Sequence, residues 1–247
     1  MKFLRSCLVV FSFTLFGVGS LLVGFFVFPL IKFFVKEEAS RYDCFSKTVH
    51  CSWKIFVAFL QLVKVLRLDI EDYEKIKNIK NSLIVSTHPS YIDVLILLSL
   101  VPRTTCFVAP RLTENNFFKK IVESMFLISG KSLEEICQDT EKMFDNGFNV
   151  LIFPSGIRHR KDEQPKIRKG ASMVALHSKK NIVPIIMHTD FDFLQIGQPF
   201  YDAGTKPVTY SISCLDSINI ESFLNIQDEI EQKKKLTDEI KKSLYKL

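Results

Sequence analysis

From Cys7 to Leu30 the chain runs for 24 residues without a charge, as CLVVFSFTLFGVGSLLVGFFVFPL. Roughly 20 apolar residues suffice to cross a bilayer as a helix. A cleaved secretory leader has an apolar core of about 7–15 residues and then a small-residue cleavage site. This run is longer, and FFVFPL offers no such site, so the segment is expected to stay and to associate with a membrane. Lys2 and Arg5 precede it, whereas Lys32, Lys36, Arg41 and Lys47 follow it. The richer basic flank is C-terminal, which favours the main domain on the cytoplasmic side, at the inner membrane if the chain is bacterial. A second stretch, Trp53 to Leu68, carries Ile55, Phe56, Phe59, Leu60, Val63 and Leu66 at helical spacing. It suits an interfacial helix as well as an ordinary core helix. Residues 1–68 therefore read as N-terminal membrane-associating helices, and 69–247 as a separate domain.

Beyond residue 69 the chain changes character. Short apolar runs (81–88, 104–109, 149–154, 181–188 and 207–214) alternate with segments of helical length. That alternation predicts an α/β fold, a layered sheet flanked by helices. Runs such as VLIF, apolar at successive positions, predict a sheet covered on both faces. Ser132 and Glu135 are spaced as a capping box, with Gly147 as the stop of the same helix. The last 24 residues or so predict a charged surface helix. The formal charge of +6 suits an anionic membrane, a phosphorylated substrate or a nucleic acid. The basic loop lacks interleaved aromatics, and with the apolar N-terminus this argues against nucleic acid. The six scattered cysteines have no CxxC or zinc spacing and imply a reducing compartment.

Two polar turns interrupt the apolar pattern. The first, in LIVSTHPSYIDVLILLS, holds His88 and, five positions later, Asp93. Pro89 keeps His88 out of helical geometry and is welcome at a helix start, so the strand is expected to end at His88 and the helix to begin at Pro89. Asp93 would then lie one turn in, with its carboxylate leaning back to the imidazole. A carboxylate on one ring nitrogen fixes the tautomer and leaves the other nitrogen to take a proton. The second turn, in VLIFPSGIRHRKDEQPKIRKGA, follows another strand. Gly156 allows a tight backbone, and Arg158, Arg160, Lys161, Lys166, Arg168 and Lys169 place six cations within twelve residues. A guanidinium beside a strand end suits phosphate. Ser155 is not framed as G-x-S-x-G, because Phe153 stands where the first glycine belongs, so a hydrolase nucleophile is not expected there. The histidines do not cluster in sequence, and no metal is expected.

THPSYID (87–93), FPSGIR (153–158) and IVPIIM (182–187), in this order, resemble the glycerolipid acyltransferase family, whose best-known members are the lysophosphatidic acid acyltransferases. The likeness spans about residues 70 to 200. His88 and Asp93 match the family's H-x-x-x-x-D motif; Phe153, Pro154, Gly156 and Arg158 match its F-P-E-G-T-R motif; Val183 and Pro184 match its V-P motif. Ser155 and Ile157 depart from the family's Glu and Thr. A further basic block is worn, with Arg111 and Lys131 as approximate counterparts.

The resemblance implies a reaction. His88 would serve as general base on a hydroxyl of a lysophospholipid-like acceptor, 1-acylglycerol-3-phosphate before others, with Asp93 orienting it. The acyl donor would be a thioester, acyl-CoA or acyl carrier protein, and no cofactor is implied. Arg158, with Arg111 and Lys131, would hold the acceptor phosphate; Pro154, Ser155, Gly156 and Pro184 would shape the site. Membrane lipid is the remaining partner. Gly17, Gly19 and Gly24 could bend the first apolar run, which leaves spanning and half-burial in one leaflet both open. Ser155 and the worn block also fit an alternative, a catalytically weak membrane-lipid binding protein that keeps the scaffold.

Overall fold

Lys2 to Phe34 forms one helical rod of 33 residues, about 50 Å at 1.5 Å per residue. It consists of α1 (Lys2–Leu22), a wider π-helical turn at Val23–Val27 and α2 (Phe28–Phe34). In this computed structural model the described residues are 2–114, 116–158, 165–195, 197–202 and 204–245. Arg160, Lys161 and the acidic pair Asp162 and Glu163 of the basic turn lie outside them. The rod packs against α3 (Glu38–Leu62). Near its start Arg5 donates to the Lys64 and Lys206 carbonyls at 3.0 and 2.8 Å. Midway the Phe16 ring sits 4.6 Å from Phe56, and further on Phe28 sits 4.6 Å from Phe45. Its other face leaves Phe3, Phe11, Leu15, Phe26, Phe33 and Phe34 exposed.

The second apolar stretch divides. Helical spacing carries α3 to Leu62, and Lys64, at φ 56°, ends it. Leu66–Ile70 then forms β1, so residues 66–68 leave the helical region and enter the sheet. The physical reason is the alternation of Leu66, Leu68 and Ile70 with Arg67 and Asp69, a period of two that the helical match at Leu66 conceals.

After β1 come α4 (Tyr73–Lys77), β2 (Leu83–Ser86), α5 (Asp93–Leu100), β3 (Thr104–Val108), α6 (Arg111–Glu114), α7 (Asn116–Met125) and β4 (Leu127–Ile128). The chain continues with α8 (Leu133–Asp145), β5 (Asn149–Ile152), α9 (Gly170–Ser178), β6 (Ile182–Thr189), β7 (Val208–Cys214), α10 (Glu221–Leu224) and α11 (Glu229–Tyr245). The sheet order is β1-β7-β6-β2-β5-β3-β4. The strands from β6 through β4 in that order run parallel; β7 is antiparallel to β6, and β1 follows β7.

Both sheet faces are covered, as the unbroken apolar runs require. Along β2, Ile84 joins the core with α1, α3 and α5, while Leu83 and Val85 join the core with α8, α9 and α11. β5 divides in the same way, Leu151 to the first core and Val150 to the second. The N-terminal rod contributes Val9 and Phe28 to the first core. α8 opens with the expected capping box, the Ser132 hydroxyl accepting from the Glu135 amide and the Glu135 carboxylate accepting from the Ser132 amide. Gly147, at φ 74°, turns the chain into β5.

Candidate active site

β2 is the middle strand, and its parallel neighbours β6 and β5 run in the same direction on either side. Open α/β sheets present crevices at the C-terminal ends of such strands. Beyond Ser86 the chain stays tied to β6. The Thr87 hydroxyl donates to the Met187 carbonyl at 2.8 Å and accepts the Met187 amide at 2.7 Å. Pro89 to Ile92 then form a turn, and α5 starts at Asp93 rather than at Pro89. The Asp93 carboxylate is the cause: Oδ2 accepts the Ser90 amide at 2.7 Å, and this side-chain bond closes the turn in place of a helical one. The same Oδ2 lies 2.8 Å from His88 Nδ1. The pairing expected from sequence is therefore made, from the first residue of the helix rather than from its second turn.

Asp93 is wholly buried, and the His88 side chain keeps 16% of its surface exposed. Burial pushes the Asp93 carboxyl above the usual carboxylate range; the His88 hydrogen bond, the Ser90 amide and the positive charge of Arg158 pull it back. The imidazole has a floor, because the Phe153 ring stacks on it at 4.1 Å and 20°. Phe153 is the residue after β5, and it fixes the ring plane while Asp93 fixes the rotation.

The turn after Phe153 is closed by its own side chains. Ser155 is buried, and its hydroxyl donates to the Ile157 carbonyl at 2.7 Å. Gly156 sits at φ 68°, and a Cβ there would come within 3.0 Å of the Arg168 guanidinium. Arg158 donates to the Leu194 carbonyl at 2.8 Å and lies with its guanidinium 5.1 Å from the Tyr91 ring centre. Three adjacent strand ends thus meet: His88 after β2, Phe153 to Arg158 after β5, and Leu194 after β6. They bring a carboxylate-held imidazole and a guanidinium to the same end of the sheet.

The segment from residue 67 to residue 188 matches the protein-family model for the acyltransferases. These residues form an acyltransferase domain. The chain is 24% identical over 162 residues to human 1-acyl-sn-glycerol-3-phosphate acyltransferase beta, a match covering 62% of this chain and 58% of that protein. It is also similar to the crystal structure of the 1-acyl-sn-glycerophosphate (LPA) acyltransferase PlsC from Thermotoga maritima, with TM-score 0.72 and 16% identity, covering 98% of this chain and 95% of that one. The fold, down to the N-terminal helices, is that of the latter protein.

Within the acyltransferase domain the remaining sequence candidates are spread along the same sheet edge. Arg111 follows β3 and Lys131 follows β4, two and three strands away from β2. At about 4.8 Å per strand that is about 10 and 14 Å. Lys131 is paired with Asp139, and Arg111 is exposed. Pro184 is buried in β6, level with Val85 and so below the His88 turn rather than at its mouth. Sequence reading did not find the supports of the turn: Tyr91 beneath Arg158, the Leu194 carbonyl, or Gln195, whose side-chain amide donates to the Pro89 carbonyl. Phe153 belongs to the second motif, and its place one residue past β5 is the signal for its stacking on His88.

Proposed function

We propose that the protein moves a fatty acyl group from a thioester donor to the free hydroxyl of 1-acylglycerol-3-phosphate or a close lysophospholipid. The observation that carries the reading is the Asp93-held imidazole of His88 at the same sheet end as Arg158, whose charge reaches Asp93. With Nδ1 directed at Asp93, His88 Nε2 takes the acceptor's hydroxyl proton. The oxygen attacks the thioester carbonyl carbon, the C–O bond forms and the C–S bond breaks. The thiolate leaves with the proton from the imidazolium. Asp93 stabilises that imidazolium, and no acyl-enzyme forms. Arg158 binds the acceptor phosphate through its planar fork, with Arg111 and Lys131 as outlying cations. The human and Thermotoga proteins, both named as acyltransferases of 1-acyl-sn-glycerol-3-phosphate, support the same acceptor.

The N-terminal rod supports a position of this site at a lipid surface. Contacts at Arg5, Phe16 and Phe28 hold it along its length against the rest of the protein, while the opposite face presents phenylalanine and leucine. A helix held in this way supports a seat in one leaflet rather than a free span. Its basic flank supports the cytoplasmic leaflet.

The test is release of free thiol from palmitoyl-CoA in the presence of lysophosphatidic acid, run beside an acyl carrier protein donor. Wild type releases thiol and forms phosphatidic acid, and His88→Ala lowers the rate at least about 10²-fold. Equal rates in wild type and His88→Ala, or thiol release without a new ester, overturn the reading.

A further inference from the structure

Around the Asp93 side chain three buried oxygens make no hydrogen bond of full geometry among the described residues, although the Tyr210 and Ser90 hydroxyls lie close enough to interact. They are Asp93 Oδ1, the Ser90 hydroxyl and the Tyr210 hydroxyl. Unsatisfied polar atoms are uncommon in protein interiors, and three in one place call for an explanation. Tyr210 lies in β7, is fully buried, and belongs to the core that α5 joins. Its hydroxyl is beside Ser90 and within electrostatic reach of Asp93. A side chain serving only as core filler would do as well without its oxygen, since a buried hydroxyl lacking a partner is a cost.

We infer that Tyr210 is a positioning residue for the base: its hydroxyl, acting with that of Ser90, serves Asp93 Oδ1 and holds the carboxylate on His88. Both hydrogen bonds that Asp93 makes fall on Oδ2, so Oδ1 is the oxygen still able to accept. Hydroxyl hydrogens rotate to suit their partners. A chain from Tyr210 through Ser90 to Oδ1, direct or through one ordered water, satisfies all three atoms. Burial, and then the charge of Asp93, push the Tyr210 phenol well above its ordinary range, so it stays a proton donor. The charged and titratable groups facing Asp93 are then His88, Arg158 and Tyr210. The inference rests on the proposed base.

The test compares wild type, Tyr210→Phe, Ser90→Ala and His88→Ala with palmitoyl-CoA and lysophosphatidic acid. Tyr210→Phe keeps its melting temperature and its KM, while kcat falls about tenfold, the scale of one hydrogen bond to a charged group. Because the carboxylate loses a donor it leans harder on the imidazolium, and the acid limb of kcat moves up by about half a pH unit. Ser90→Ala shifts that limb in the same direction. A Tyr210→Phe enzyme with wild-type kcat and an unmoved acid limb overturns the inference while leaving His88 as base. So does a loss of rate that only tracks a lower melting temperature. Full activity in His88→Ala overturns the base itself, and with it this proposal.

Discussion

Asp93→Asn separates the charge of the orienting residue from its shape. Both contacts of Asp93 land on one atom: Oδ2 takes the Ser90 amide at 2.7 Å and faces His88 Nδ1 at 2.8 Å. An asparagine with its oxygen at that place keeps both bonds and the same imidazole tautomer. Its NH2 then occupies the Oδ1 position, beside the Ser90 and Tyr210 hydroxyls. What disappears is the negative charge opposite the imidazolium that forms as the proton is taken. At an effective dielectric of about 20, unit charges at that separation attract by about 6 kcal/mol. The amide dipole recovers a third to a half of this, which leaves about 3–4 kcal/mol, or a drop in kcat of about 10²–10³-fold. KM stays near wild type, because Asp93 touches no substrate. Stability moves the other way. Burial holds the folded carboxyl above its unfolded value, so the folded state binds the extra proton, and ionising Asp93 costs stability as pH rises from about 4 through the raised value. Asparagine lacks that cost, so its melting temperature relative to wild type rises between pH 4 and 7. Thiol release and circular-dichroism melts across that range read both effects. A kcat within threefold of wild type, in an enzyme that still depends on His88, refutes the argument.

Further substitutions test the neighbouring roles. Arg158→Lys keeps the charge but loses the two-pronged fork, so KM for lysophosphatidic acid rises about tenfold while turnover of a monoacylglycerol without phosphate is unchanged; equal effects on both acceptors would remove Arg158 from phosphate recognition. Ser155→Ala loses only the bond to the Ile157 carbonyl and keeps acyl transfer within about threefold, whereas a nucleophile would cost orders of magnitude. Cys7 and Cys51 are exposed on the N-terminal helices. A bimane on either thiol is quenched more by lipids brominated near the headgroup than by lipids brominated near the chain ends; strongest quenching at the midplane argues for a span instead.

Features written in short-range periodicity were legible in the sequence: the long apolar run, the doubly covered strands, the capping box at Ser132 and the reach of Asp93 to His88. The misses share a cause. β1 reads as the end of a helix because Leu66 satisfies both periods, and only pairing with β7 decides between them. The sequence points to a start of α5 at Pro89 because proline tolerates that position; the bond from Ser90 to Asp93 that delays the helix is a side-chain event. Leu194 and Gln195 could not be read at all, since their bonds to Arg158 and Pro89 join positions 36 and 106 residues apart. What turns the two legible motifs into one site is strand register. Val85 pairs with Ile152, so the next pair brings Ser86 level with Phe153, two residues below His88. A slip of one residue in β5 would turn the Phe153 ring to the opposite face of the sheet. It would take the floor from beneath the imidazole and carry Arg158 away from Tyr91, with every motif letter unchanged. The chemistry is spelled by residues, but its assembly depends on the apolar contacts of Ile84 and Leu151 that fix which rung each strand occupies.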